Sequence, residues 1–156
     1  MKRIAIQGVK GSYHDMAAHQ YFENEDIELI CCSTFDGIFD AMKQDNNVIG
    51  LMAIENTIAG SLLHNYDLLR ESHTTIVGEH KMRISHSLLC LPEEGWDDIV
   101  EINSHPVALA QCREFLLQHP DVKIVEAEDT AGSAELISRK QLKGHAAICS
   151  KSAAPL

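Results

Sequence analysis

Four times along this chain an apolar, strand-like run ends in a cluster of Gly, Ser, Thr or Asn and passes into a helical pattern. The junctions are Ile4-Ala5-Ile6-Gln7-Gly8 into Gly11-Ser12-Tyr13; Val48 to Ile54 into Glu55-Asn56-Thr57-Ile58-Ala59-Gly60-Ser61; Ile99 to Ile102 into Asn103-Ser104-His105-Pro106; and Val122 to Val125 into Asp129-Thr130-Ala131-Gly132-Ser133. Strands that alternate with helices predict βαβ units and parallel sheets. A helix N-terminus exposes unpaired N–H groups and the positive end of the helix dipole, so it favours anions. Several such ends at the carboxyl edges of parallel strands form a binding crevice. The pattern predicts a site for a small anion, a carboxylate above all.

Charge sharpens this reading. Thirteen Lys and Arg against 23 Asp and Glu give a formal net charge of -10. Nucleic acid is excluded as a partner, because its binding depends on basic surface. An anionic ligand gains nothing from the overall field and must be held by local dipoles and a few cations. At 156 residues and 45% apolar composition, the chain suits one ordinary domain or two small lobes. No run of about 18 apolar residues is present, so no membrane span is expected. Met1-Lys2-Arg3 leads straight into a strand without a signal-peptide core, and the expected location is cytoplasmic. The five cysteines sit in apolar runs without a CxxC pair and are read mainly as small core residues.

Strands are expected over 2–7, 27–32, 48–54, 99–103, 122–126 and 145–149. Helices are expected over 12–22, from a Ser33 or Thr34 cap onward, and over 61–71, 106–118 and 130–139. Phe35, Ile38, Phe39 and Met42 recur at i, i+3, i+4 and i+7; Leu62, Leu63, Tyr66 and Leu69 form a similar face. Near residue 74 the style changes to two adjacent extended runs, 74–80 and 82–91, which read as a crossing between lobes. This divides the chain into lobe one, 1–78, and lobe two, 79–156. A last helix is expected to start at Ser150, yet Pro155 does not belong in a helix interior, so a fragment of a longer chain or a disordered end is expected.

The junctions supply the candidate site residues. In Gly8-Val9-Lys10-Gly11-Ser12, the glycines allow positive φ and close approach, and Ser12 either caps a helix or meets a ligand. Glu55, Asn56, Thr57 and Ser61 crowd polar groups at the end of a buried strand, where they serve a ligand or satisfy loop backbone. Ser104 and His105 precede a first-turn Pro106, which places His105 to point into a crevice. Asp129 or Thr130 caps a helix in which Gly132 and Ser133 allow close approach. The histidines form no metal set: HExxH and HxH are absent, as are a Walker sequence, GxGxxG and GxSxG.

Taken in order, the stretches IAIQGVKGSYHDMAA, GLMAIENTIAGSLLHNYDLL, INSHPVALAQCREFL and EDTAGSAELI, followed by GHAAICSKSAA, resemble prephenate dehydratase. The resemblance implies an α/β, two-lobed fold like the type II periplasmic binding proteins, with mostly parallel sheets and a ligand cleft between the lobes. It implies conversion of prephenate to phenylpyruvate with loss of CO2 and water, on the route to phenylalanine, without metal or organic cofactor. It implies substrate contacts from Ser12, Glu55, Asn56, Thr57, Ser61, Ser104, His105, Thr130 and Ser133. Thr57 and His105 are the first catalytic candidates within the chain, and Glu55 either orients hydroxyls or is structural. It also implies a homodimer of the full-length protein. Two departures stand out. Val107 replaces the glutamine that usually follows the SHP triplet. The family's Thr-Arg-Phe motif, with its best candidate acid and a substrate-binding arginine, and the regulatory ACT domain would both lie beyond Leu156. A truncated domain with weak binding and poor turnover is therefore expected. The alternatives are a non-catalytic carboxylate-binding module of the same fold and an arogenate dehydratase, for which Glu55 or Asp129 would meet the ammonium group.

Overall fold

Ile4, Ala5 and Ile6 are fully shielded from solvent, and the strand that carries them, β1 (Lys2–Gln7), is the middle of a three-stranded parallel sheet. The computed structural model describes residues 1–154; the expected effect of Pro155 on a terminal helix lies outside the described residues. β1 pairs with β2 (Ile27–Cys32) and β3 (Val48–Leu51), with Arg3 opposite Glu28 on one side and Val48 on the other. The period-2 alternation of a strand puts Ile4 and Ile6 on one face and Ala5 on the other. Ile4 and Ile6 pack with Ala18 of α1 (Tyr13–Tyr21) and with Phe22. Ala5 packs with Val48 and with Ile38 of α2 (Phe35–Gln44). Both faces are covered, as a parallel sheet requires.

The apolar run 48–54 stays a strand only to Leu51. The helix expected from residue 61 starts at Leu63, as α3 (Leu63–Ser72). Between them the chain doubles back as a small hairpin, β4 (Glu55–Asn56) against β5 (Gly60–Ser61). Two features force this reversal. Asn56 Oδ1 accepts from the N–H groups of Ile58 and Ala59, and Gly60 takes a φ of 88° that favours glycine. The buried face of α3 also differs from expectation: Leu63 is 72% exposed, while Asn65 is the residue fully enclosed.

The chain divides into two compact units, Met1–Val9 with Tyr13–Arg83, and Lys10–Ser12 with the chain from Ile84 onward. Of the extended runs 74–80 and 82–91, only β6 (Ser87–Leu89) finds a ladder partner. The second unit holds a four-stranded sheet in the order β6, β9 (His145–Cys149), β7 (Glu101–Ser104), β8 (Lys123–Glu126). β7 runs parallel to both neighbours, and β6 is antiparallel to β9. Ile102, Ala146 and Ile148 face Ala108 and Leu109 of α4 (Pro106–Gln111). The expected helix 106–118 is broken at Cys112, where α4 gives way to α5 (Arg113–Leu117). The Cys112 backbone, at φ -96° and ψ 11°, leaves the regular helix there. A final helix, α6 (Thr130–Lys140), contributes buried Ala131 and Ile137. Ser150 precedes a single 3-10 turn, Lys151–Ala153.

The cysteines depart from the core reading. Cys149 is fully buried, Cys32 and Cys112 are half-buried, and Cys31 and Cys90 are exposed. Strand alternation puts adjacent Cys31 and Cys32 on opposite faces of β2, and at this sheet edge the Cys31 side is left uncovered.

Gly50 in β3 lets α2 pack closely on the sheet of the first unit. A Cβ there would lie 2.7 Å from both Ile38 Cγ2 and Met42 Sδ. Gly50→Ala should cost about 1–3 kcal/mol by overpacking. Urea unfolding checks this, and a loss below about 0.5 kcal/mol would show that α2 moves aside freely.

Candidate functional site

Three residues after β3 ends, the chain enters the Glu55–Ser61 hairpin, and its entry is held by side chains. The Ala53 N–H donates to His14 Nε2 at 3.3 Å. The Ala53 carbonyl accepts from Asn65 Nδ2 at 2.7 Å. One step on, the Ile54 carbonyl accepts from the Leu62 N–H at 2.9 Å. Since Nε2 of His14 is an acceptor, the ring proton sits on Nδ1, the side that meets the Gln7 backbone. Phe35 stands edge-on to the ring, 5.5 Å between centroids. Burial pushes the His14 imidazole down to about 4, against the upward pull of the Gln7 bond.

Within the hairpin the sequence-expected residues are brought together. Ser61 Oγ donates to both Glu55 oxygens, at 2.8 and 3.0 Å. Tyr66, in the second turn of α3, adds a phenol bond of 2.6 Å to the same carboxylate. These donors, Tyr66 first and then Ser61, hold the Glu55 carboxyl below the usual carboxylate range, and the Glu55 bond pushes the Tyr66 phenol up. Asn56 is half-buried, with its oxygen committed to the turn. Thr57 is exposed in that turn.

In the second unit, Ser104 ends β7 fully buried, and its hydroxyl donates to the Ile148 carbonyl of β9. It therefore does not cap α4. His105 does, accepting the Val107 N–H on Nδ1 at 3.2 Å, which leaves an Nε2–H donor on a half-buried ring. Asp129 caps α6 by accepting from the Gly132 N–H. Gly132 lets the carboxylate come close, since a Cβ would lie 2.7 Å from Asp129 Oδ2 and the cap would have to shift. Thr130 opens α6, half-buried; Ser133 is nearly buried, its hydroxyl donating to the Asp129 carbonyl at 2.8 Å. Ser12 is 7% exposed, next to Gly11, whose carbonyl accepts from the buried Ser150 hydroxyl.

A cavity of about 480 Å³ lies against α6, with Glu101, Asn103, Asp129, Ser133 and His145 among its walls. Across the sheet, Glu101 meets Lys123 Nζ at 2.7 Å and His145 Nδ1 at 3.2 Å. Lys123 above all holds the Glu101 carboxyl below the usual range.

Sequence reasoning missed Tyr66, His14 and Asn65. Asn65 had a signal: it shares the helical stripe of Leu62 and Leu69 at i+3 and i+7, where an apolar residue belongs. His14 had none, since its acceptor role depends on Ala53, 39 residues away.

Comparison with known proteins follows the same residues. The sequence matches the family prephenate dehydratase over residues 4–156. Arogenate dehydratase 2 of Petunia hybrida is 39% identical over 152 residues, covering 97% of this chain and 38% of the relative. The chloroplastic arogenate dehydratase/prephenate dehydratase 2 of Arabidopsis thaliana is 37% identical over 154 residues, covering 99% and 40%. The chain thus spans about two fifths of the length of these curated relatives. Among solved structures, GqqA, described as a novel type of quorum quenching acylase, superposes with a TM-score of 0.85 at 34% identity, covering 97% of this chain and 54% of that one.

Two outcomes follow from the geometry. Tyr66→Phe should raise the Glu55 titration midpoint toward the ordinary carboxylate value, and Ser61→Ala should raise it less. Carbon NMR of the Glu55 carboxyl reads both, and a larger effect from Ser61→Ala would reverse the ranking. For His14, the unfolded chain takes up its proton near the ordinary 6.5 and the folded chain only near 4. More protons are bound unfolded in that window, so stability is lost as pH falls from 6.5 to 4. Between pH 7 and pH 5 the His14 share of that loss is about 2 kcal/mol. Urea unfolding at both pH values should show it in the native chain and not in His14→Gln; equal losses would assign the acid sensitivity to other groups.

Proposed function

Because the chain belongs to the prephenate dehydratase family, we propose that it serves the decarboxylative dehydration of prephenate to phenylpyruvate, a hydro-lyase step of phenylalanine biosynthesis. The match across residues 4–156 carries this reading, since it takes in every junction described above. The two units are, in this proposal, the lobes of a fold of the type II periplasmic-binding-protein kind. Each holds a sheet with parallel strands, which supports it. A homodimer of the full-length protein is carried over from the family resemblance. A cytoplasmic setting, in which the five thiols stay reduced, completes it.

The chemistry asks for orientation and one proton. The ring carboxylate departs as CO2, its electron pair enters the ring, and the opposite hydroxyl leaves as water once protonated. Aromatisation drives the step, so the protein must chiefly align the departing groups and supply the acid. Prephenate carries two carboxylates. Hydroxyl and N–H donors suit them; we assign this binding first to Thr57, His105 and Thr130, with Ser12, Asn56, Ser61 and Ser133 beside them and the buried Ser104 supporting His105 from behind. Thr57 and His105 support an acid role best. Thr57 is an exposed hydroxyl in the hairpin turn, and His105 keeps an Nε2–H donor beyond its capping bond. Glu55 orients Ser61 and Tyr66.

Arogenate differs from prephenate by an ammonium group, which needs a carboxylate. Asp129 is engaged in capping α6, whereas the exposed Glu55 carboxylate, though bonded by Ser61 and Tyr66, keeps lone pairs open to solvent and is the acceptor for an arogenate reading supported by the Petunia relative's name. The likeness to GqqA supports a separate reading, an acylase.

Phenylpyruvate formation from prephenate, with arogenate and an acylated amide substrate run in parallel, tests all three. Prephenate should bind, and Thr57→Val and His105→Asn should each weaken binding or turnover about tenfold. Preference for arogenate would select the amine reading, and cleavage of the amide alone would select the acylase.

A further inference from the structure

We propose that His14 and Asn65 are positioning residues that clamp Ala53 between α1 and α3 and thereby fix the Glu55–Ser61 hairpin for its substrate. The inference rests on the functional reading above and deepens it.

Ala53 lies past the end of β3 and before β4, so no sheet ladder holds it. Its amide and its carbonyl are each bonded by a side chain, from His14 on α1 and Asn65 on α3. Asn65 is 1% exposed, and a buried amide is costly unless it is bonded. A leucine at that position in α3 would satisfy the apolar stripe better. The bond from the Asn65 side chain to the Ala53 carbonyl accounts for the polar choice. Beyond Ala53, the Ile54–Leu62 bond and the Tyr66 phenol on Glu55 tie the hairpin back to the start of α3. Thr57, at its exposed turn, therefore takes its position from a root set by two helices.

Hydrogen-bond reach separates positioning from packing. In His14→Asn the side-chain amide sits near the δ position; it can still meet the Gln7 backbone but is too short to accept from Ala53. In His14→Gln the oxygen reaches the ε position and restores the acceptor. Asn65→Leu keeps volume and removes the donor. The measurements are prephenate affinity by calorimetry, melting temperature, Ala53 amide exchange, and the nitrogen NMR shifts of the His14 ring.

The proposal expects the ring proton on Nδ1 in the native chain. It expects His14→Asn and Asn65→Leu to weaken prephenate binding about tenfold and to speed Ala53 exchange, with His14→Gln restoring both to within about twofold. Equal affinity in all three variants overturns it. So does a loss shared by His14→Asn and His14→Gln that merely follows melting temperature. If the native chain does not bind prephenate, the functional reading fails instead. Ala53 exchange then judges the clamp: faster in His14→Asn and restored in His14→Gln supports it, unchanged in both overturns it.

Discussion

Backbone groups released where a strand ends must be bonded again, and the way this chain does so shapes everything near its candidate site. Past β3, the groups of Ala53 go to His14 and Asn65. In the hairpin turn, the N–H groups of Ile58 and Ala59 go to Asn56. After β7, the Val107 N–H goes to His105, and after β8 the Gly132 N–H goes to Asp129. The alternative, an orphan donor or acceptor in a half-dry loop, costs about 1–3 kcal/mol each. Short polar residues at strand ends are first a solution to this problem.

That solution changes the anion argument. Helix N-termini were expected to attract carboxylates, and at α6 the attraction is already met by the chain's own Asp129. At α4 the capping acceptor is a histidine nitrogen. A ligand carboxylate competing for these donors would have to displace an internal cap. What remains for a ligand is the outer side of each cap: the Nε2–H of His105 and the hydroxyls of Thr57 and Thr130. With a net charge of -10, such neutral donors and a few local cations are the means by which an acidic chain can hold an acidic substrate.

Much of the fold was legible because parallel sheets impose long apolar runs. Ile4 to Ile6 and the Phe35–Met42 stripe announced a covered sheet, and both are found as such. The failures have local causes. The run 48–54 is apolar throughout, yet its last three residues lie outside the ladder, and composition does not register where pairing stops. Residues 55–61 were read as leading into a helix because Asn, Thr, Gly and Ser serve helix caps and hairpin turns alike; the positive φ of Gly60 decides, and sequence does not print φ. The junction residues themselves were legible by type, whereas their partners were not. Glu55 and Ser61 are legible without Tyr66, and Ser104 is legible without the Ile148 carbonyl, 44 residues on, that its hydroxyl reaches.

The proposed reaction is driven by aromatisation and would need little chemical force from the protein, so accuracy of placement would dominate its rate. This bears on why polar residues are buried in a first unit whose core is small. Asn65 and the neutral ring of His14 add less hydrophobic stabilisation than apolar residues of the same size would. They give in exchange a fixed hydrogen-bond geometry at a single residue, which apolar packing does not supply, because dispersion contacts are non-directional. The same trade recurs at Ser104, where one buried hydroxyl ties β7 to β9 just before His105. In both places directional bonds lie upstream of a donor group, four residues before the exposed Thr57 in one case and immediately before the half-buried His105 in the other. Stability is given up upstream of the positions where a substrate would need precision.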